Sequence, residues 1–133
     1  MKILVTGSES FVGRELIKQC EKEDISVIGI DIVDRNNTNY EYHKVDICSS
    51  ELAEIISEDI DAVIHLAALS KDSDCRDKAY ECFNINVMGT LNLINSVRAK
   101  KIKQFIFASS EWVYDDFKNN EEKDENSLIN IFN

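Results

Sequence analysis

The feature that most constrains the fold is a regular alternation of short apolar runs with stretches of helical periodicity. The runs are rich in β-branched residues and predict strands over 2–6, 26–30, 42–45, 62–66 and 104–108. Apolar residues at helical spacing predict helices over 11–23, 49–57 and 77–101, the second of them capped by Ser49 or Ser50. Strands joined through helices form parallel sheets with right-handed crossovers, and continuous apolar strands are covered on both faces. We therefore expect an α/β fold with a doubly wound sheet in the order 3-2-1-4-5.

The length of 133 residues suits one domain. We place that domain at residues 1–114, because residues 115–133 change in character and hold six acidic against two basic side chains. This tail is interpreted as an acidic loop that leads into a truncated further element.

Net charge and hydropathy exclude two classes of partner. The net charge is −10, and no basic stripe offers the counterion release on which nucleic-acid binding depends. No apolar run approaches the roughly 20 residues of a membrane span. Residues 1–7 lack the features of a signal peptide, so we expect a cytoplasmic protein.

The four cysteines form no C-x-x-C pair, and the chain is not a small secreted framework. We expect reduced, packed thiols. The two histidines lie far from any cysteine cluster, so the sequence offers no metal site.

A glycine-containing turn joins the first strand to the first helix, with the sequence Thr-Gly-Ser-Glu-Ser-Phe-Val-Gly at residues 6–13. In a dinucleotide-binding turn, Gly7 would allow the tight bend and Gly13 the close packing of helix on strand. The N–H groups of the helix N-terminus, around Phe11 and Val12, would face a pyrophosphate. Ser10 stands in the middle position, where its hydroxyl would donate to a phosphate or its Cβ would crowd the ligand. A purely structural turn remains the alternative.

Two acidic residues follow the second and third strands. Asp31 stands where a carboxylate accepts the ribose hydroxyls of NAD, and it would repel a 2′-phosphate, which favours NAD over NADP. Arg35 is the counterargument, since it would attract a 2′-phosphate. Asp46 would face the adenine amino group, or would instead cap the following helix.

These residues together resemble the extended short-chain dehydrogenase/reductase family, in its NAD-dependent epimerase/dehydratase branch. The similarity runs from residue 2 to about residue 125. Six motifs occur in the family's order and spacing: 6–13, Asp31, 45–47, 65–68, 86–90 and 107–114.

The resemblance implies a Rossmann-like fold, a role in nucleotide-sugar metabolism and a set of further site residues. Ile47 lies in the motif of Asp46. Leu66, Ala67 and Ala68 match the segment that lines the cofactor, and Asn86 matches a residue at a bend of the long helix near it. Ala108 and Ser109 match the segment under the nicotinamide. Ser110 matches the catalytic Ser/Thr. The same residues also have plain interpretations: His65 as a strand histidine satisfied by a neighbour, Asn86 as a helix kink, and Ser110 as a strand end.

In the resembled enzymes a Tyr-x-x-x-Lys pair follows the serine by roughly two dozen residues, which here falls beyond Asn133. Tyr40 with Lys44 and Tyr114 with Lys118 fit the pattern but not the position. We therefore expect the NAD(H)-binding portion of an epimerase/dehydratase, truncated before the later strands and the substrate domain and inactive alone. A non-catalytic NAD-binding module or partner subunit, and a relic with an empty site, are the alternatives. The resemblance further implies a nucleotide-sugar substrate and a homo-oligomer through the 77–101 helix, or a companion chain.

Overall fold

A computed structural model describes residues 1–114 and 122–129. Five strands form one parallel sheet in the order β3-β2-β1-β4-β5. Their bounds are β1 (Lys2–Thr6), β2 (Ser26–Asp31), β3 (Glu41–Lys44), β4 (Ala62–His65) and β5 (Gln104–Phe107). The predicted fold class and strand order are confirmed, with strand ends displaced by one residue at most. The tail outside 122–129, and with it the proposed domain boundary, lies beyond the described residues.

The sheet is covered on both faces, as the apolar strands predict. Along β1, Leu4 packs with Leu93 and Val97 on one face, whereas Ile3 and Val5 belong to a second cluster on the other. The first cluster is covered by α2 (Leu52–Ile55) and α5 (Thr90–Arg98), and the second by α1 (Phe11–Lys22). This two-sided burial stabilises the sheet by about 25 cal/mol per Å² of apolar surface. Because all five strands are parallel, their carboxyl ends lie along one edge of the sheet.

Two predicted helices differ from the structure. Residues 49–57 form only the single turn of α2, with Glu51 as N-cap and no side-chain capping bond. The Ser49 hydroxyl instead accepts from the N–H of Glu51 at 3.2 Å, so the predicted cap is wrong. A further short helix that the apolar periodicity does not predict, α3 (Asp72–Cys75), precedes the long helix.

The long helix predicted over 77–101 is divided into three parts. It consists of α4 (Ala79–Phe83), a π-helical segment (Asn84–Gly89) and α5. It cannot begin at Asp77, whose φ of 62° is left-handed. A 3₁₀ turn at Glu111–Tyr114 follows β5. Among the helices of the described residues, none is long and apolar enough to cross a bilayer.

Candidate cofactor site

The turn after β1 requires glycine at two positions. Gly7 has a φ of +68°, and a Cβ there would lie 2.7 Å from the backbone nitrogen of Ala67. A Cβ on Gly13 would lie 2.3 Å from the carbonyl oxygen of Gly7. Both contacts are with backbone, which cannot move aside as a side chain can. The turn is therefore pressed against the end of β4 and against the first turn of α1.

The N-terminus of α1 presents open donors. Ser10 is the N-cap, and its Oγ accepts from the N–H of Gly13 at 3.0 Å, while its own N–H donates to Gly7. The first four N–H groups of a helix have no partner inside it, so those of Phe11 and Val12 remain unbonded within the described part of the chain. These two donors, with the positive end of the helix dipole, form a favourable place for an anion. The Ser10 hydroxyl proton is still available to donate.

Asp31 is the last residue of β2, and its carboxylate accepts hydrogen bonds from the glycine-containing turn and from the loop after β2. Its Oδ2 accepts from the N–H of Glu9 at 2.9 Å, and its Oδ1 accepts from those of Ile32 and Val33 at 2.8 and 3.3 Å. A carboxylate has about four acceptor positions, so roughly one remains for an added hydroxyl. Asp31 therefore organises the turn in addition to facing the cleft.

Two neighbouring cavities bring most of the predicted site residues together. The first, of about 290 Å³, is lined by the end of β2, by the segments that follow β1, β2, β3 and β4, and by Ile85 of the π-helical segment. Its predicted members are Gly7, Ser10, Asp31, Asp46, Ile47, Leu66, Ala67 and Ala68. The second, of about 440 Å³, shares the wall 66–69 and adds Asn86, Ala108, Ser109 and Ser110. Phe11, Val12 and Gly13 line neither cavity; the first two are exposed, and Gly13 is packed against the backbone of the turn.

Asp46 lies beside the first cavity, and its alternative interpretation as a helix cap is wrong. Its carboxylate lies exposed beside the first cavity, and its Oδ1 accepts from the N–H of Cys48 at 2.8 Å. It does not cap α2, whose N-cap is Glu51. The neighbouring Ile47 is buried at 5% exposure and forms part of the apolar lining.

His65 is satisfied on both ring nitrogens. Thr90 donates its hydroxyl to the carbonyl of Asn86 at 2.7 Å, so its oxygen accepts from Nε2 of His65 at 2.9 Å. Nδ1 then accepts from the hydroxyl of Thr6 at 2.6 Å. These successive bonds define a neutral tautomer, and burial lowers the pKa of His65. The plain interpretation of His65 is confirmed, and the ring ties β1, β4 and α5 together.

Of the two Tyr-x-x-x-Lys strings, the one at Tyr40 and Lys44 has both side chains engaged elsewhere. Tyr40 donates its hydroxyl to Glu9 at 2.7 Å, and burial with the adjacent carboxylate raises the pKa of Tyr40 to about 12. Lys44 is paired with Asp34 on the surface. Tyr114 closes the 3₁₀ turn, and Lys118 lies outside the described residues.

Sequence reasoning missed a buried ionic cluster inside the glycine turn. The Glu9 side chain is 4% exposed and pairs with Arg35 at 2.5 Å in addition to Tyr40. The sequence signal was Glu9 itself, which stands between two serines in the turn. A carboxylate that is buried there needs a charged or hydrogen-bonding partner. Its partners lie more than 20 residues away, so their identity required the fold.

The cysteine prediction is wrong for one pair. Cys75 and Cys82 form a disulfide, whereas Cys20 and Cys48 are free. The two cysteines do not have C-x-x-C spacing, so the sequence pattern does not indicate the bond. The turn between α3 and α4 brings them together. Among the described residues no group of His, Cys, Asp or Glu is arranged to hold a metal ion.

The chain is similar to proteins of one family along nearly its whole length. The model of the NAD dependent epimerase/dehydratase family matches residues 3–131. A dTDP-D-glucose 4,6-dehydratase of Dictyostelium discoideum is 32% identical, over 97% of this chain and 33% of its own. A UDP-glucose 4-epimerase of Klebsiella pneumoniae is also 32% identical, over 87% of this chain and 94% of its own.

Solved structures of this family have a similar fold. The crystal structure of UDP-glucuronic acid 4-epimerase from Bacillus cereus, in complex with UDP-glucuronic acid and NAD, superposes with a TM-score of 0.81 at 27% identity, over 97% of this chain and 46% of that one. The chain thus spans about a third of the Dictyostelium relative and under half of the Bacillus structure. Because the family model covers all five strands, apart from Lys2 of the first, and the loops that line both cavities, the chain belongs to the NAD dependent epimerase/dehydratase family.

Proposed function

We propose that this chain is the NAD(H)-binding portion of a nucleotide-sugar epimerase/dehydratase-type oxidoreductase. The observation that carries the proposal is the first cavity, which is lined both by Ser10, the N-cap of α1, and by Asp31 at the end of β2. Open α/β sheets bind nucleotides at this location. The Bacillus relative is described in complex with NAD, which supports the assignment.

The residues present fit a dinucleotide. Phe11 and Val12 would donate backbone N–H bonds to the pyrophosphate, joined by the Ser10 hydroxyl. Asp31 would accept a ribose hydroxyl with its remaining lone pair, and Asp46 and Ile47 would border the adenine. Leu66, Ala67 and Ala68 form the wall that both cavities share.

The second cavity is proposed as the nicotinamide end of the site. Asn86, Ala108, Ser109 and Ser110 line it, and Ser110 would form a hydrogen bond with a substrate oxygen there. A bound nicotinamide supplies a reversible hydride acceptor for a sugar carbon bearing a hydroxyl. Ser110 would hold that oxygen in place, while a general base must remove its proton.

That general base is not offered by the two Tyr-x-x-x-Lys strings of these 133 residues, because neither stands at the family spacing from Ser110. We therefore propose that the 133 residues bind cofactor without turnover. A nucleotide sugar is proposed as the substrate of the whole protein, since relatives are named for UDP- and dTDP-sugars.

Self-association is part of the proposal. The surface of α4, the π segment and α5 exposes apolar side chains, namely Tyr80, Phe83, Val87, Leu91 and Ile94. A contiguous apolar surface of this kind is typical of an interface. Sedimentation of the chain with and without Leu91→Glu would test this, a lower mass for the variant being expected. If the unaltered chain and Leu91→Glu both sediment as monomers, the proposed self-association is contradicted.

Titration calorimetry with NAD⁺ and NADP⁺ tests the central proposal. We expect NAD⁺ to bind at least about tenfold more tightly, because Asp31 repels a 2′-phosphate. Asp31→Asn should narrow that preference, whereas the matched surface variant Asp34→Asn should leave it unchanged, since Asp34 is 83% exposed in its pair with Lys44. A folded chain that binds neither dinucleotide would overturn the assignment and would leave the family relationship as ancestry alone.

A further inference from the structure

The Glu9 carboxylate uses both of its oxygens inside the glycine turn. Oε2 receives the Arg35 guanidinium at 2.5 Å, and Oε1 accepts from the Tyr40 hydroxyl at 2.7 Å. The side chain is 4% exposed, against 44% for Arg35. A buried charge is tolerated only when it is paired and hydrogen-bonded, so Glu9 holds its cation firmly although that cation lies at the surface.

This cluster lies at the corner where the adenosine ribose is proposed to bind. The backbone N–H of Glu9 donates to Oδ2 of Asp31 at 2.9 Å, so the two acidic residues are directly linked. Arg35 follows Asp31 by four residues. An arginine near this acidic position is the group that accommodates the 2′-phosphate of NADP in dinucleotide-binding folds, because its planar fork binds phosphate in a bidentate manner.

We infer that Glu9 is a second determinant of cofactor specificity, which holds Arg35 in an internal ion pair and so denies it to a 2′-phosphate. The inference rests on the proposed cofactor site and adds a residue to it. Asp31 repels the phosphate, and Glu9 removes a nearby cation that would compensate.

The balance of interactions favours the internal pair. To reach a 2′-phosphate, Arg35 would leave a buried carboxylate without its cation, which is strongly unfavourable. In exchange it would form an ion pair with the phosphate at the protein surface, which water and salt weaken. Tyr40 alone would not compensate, because its hydroxyl supplies one neutral donor where the guanidinium supplies a full charge.

The experiment compares 5′-AMP with adenosine 2′,5′-bisphosphate by calorimetry, because these probes differ at the ribose and need no nicotinamide end. Glu9→Gln should tighten the bisphosphate by about fivefold, the value of an exposed ion pair, with little change for 5′-AMP. The double variant Glu9→Gln/Arg35→Gln should return the bisphosphate affinity to that of the unaltered chain. Tyr40→Phe is the matched control: it removes a hydrogen bond from Glu9 and leaves Arg35 paired, so its bisphosphate affinity should not rise.

If circular dichroism shows that Glu9→Gln is poorly folded, Glu9→Ala replaces it, since alanine also removes the charge and places a small side chain in the turn. The same tighter binding of the bisphosphate is expected. If the tighter binding persists in the double variant, loss of the Glu9 charge alone explains it and the role of Arg35 is overturned. If bisphosphate affinity is unchanged in both Glu9 variants while 5′-AMP and NAD⁺ still bind, the specificity inference fails and the cofactor site stands. If neither 5′-AMP nor NAD⁺ binds the unaltered chain, the proposed function itself fails.

Discussion

The side-chain amide of Asn86 makes two hydrogen bonds with the backbone of Leu69: its Oδ1 accepts from the N–H at 2.8 Å and its Nδ2 donates to the carbonyl at 3.0 Å. Asn86 lies in the π-helical segment, and Leu69 lies on the wall between the two cavities. π-Helical turns inside helices are frequent at functional sites because they displace one residue from regular spacing. Here the displaced residue fixes the wall against which a dinucleotide would rest.

Replacing Asn86 by alanine should therefore weaken both the fold and the site. The two lost bonds leave a half-buried N–H and carbonyl, at a cost of about 1–3 kcal/mol in the free energy of unfolding. Urea denaturation measures this, and NAD⁺ titration should show weaker binding in the same variant. Asn95→Ala is the control, since Asn95 is exposed on the same helix and should change the midpoint little. Equal stability of the two variants would show that the Leu69 contact is incidental.

The buried His65 predicts a pH dependence of stability near neutrality. Its folded pKa is lowered from 6.5 by burial, so between the folded and unfolded pKa values the unfolded chain binds more protons. Stability from this group is fully present above about pH 6.5 and declines as the pH falls toward the folded pKa. Protonation would also convert Nδ1 to a donor facing the Thr6 hydroxyl, which now donates to it.

The measurement is a set of urea midpoints between about pH 5.5 and 7.5, a window above the ordinary carboxylate pKa values. His65→Gln should flatten the profile in this window at the cost of lower overall stability. His43→Gln, at the partly exposed other histidine, removes the contribution of that side chain and should leave the slope in place. A slope that survives in His65→Gln and vanishes in His43→Gln would reverse the assignment.

The fold was predictable where local pattern and global structure agree. Ile3, Leu4 and Val5 form a continuous apolar run, which predicts a buried strand without knowledge of its neighbours. Gly7 predicts the turn, because glycine readily adopts the positive φ found there. The division of the long helix was not predictable from periodicity. Asp77 takes a left-handed φ and Asn86 bonds to a loop 17 residues earlier, and neither constraint is visible in the spacing of apolar residues.

The candidate site was predictable in its outline, including Asp31, but its internal ion pair was not. Positions that need small residues or strand ends, such as Gly13 and Asp31, are tied to the order of elements. The ion pair of Glu9 with Arg35 depends on how the loop after β2 folds back over the turn, 26 residues away in sequence. The Cys75–Cys82 pair likewise depends on a turn that has no recognisable pattern in the sequence.

Gly13→Ala tests whether packing or helix propensity dominates at the start of α1. Inside a helix alanine is favoured over glycine by about 1 kcal/mol. The new Cβ would however lie 2.3 Å from the Gly7 carbonyl oxygen, a backbone atom that cannot yield without moving the turn. We expect a net loss of about 2 kcal/mol in the free energy of unfolding, together with weaker NAD⁺ binding. Arg14→Ala, at the next and exposed position, should raise or preserve stability. A more stable Gly13→Ala chain would mean that the turn is not packed as described.

The disulfide makes a prediction that concerns stability and thiol counts together. Cys75 and Cys82 enclose a loop with a sequence separation of 7, and closing a loop of this size in the unfolded chain is worth about 2 kcal/mol in the entropic account. The chain purified in air and then denatured should expose two thiols to Ellman's reagent, those of Cys20 and Cys48, and all four after reduction. Cys75→Ser/Cys82→Ser should match the reduced chain in stability, whereas Cys48→Ser should keep the difference between oxidised and reduced forms. Four reactive thiols in the unreduced chain would show that the pair does not form in solution, and the expectation of packed, reduced cysteines would then hold for all of them.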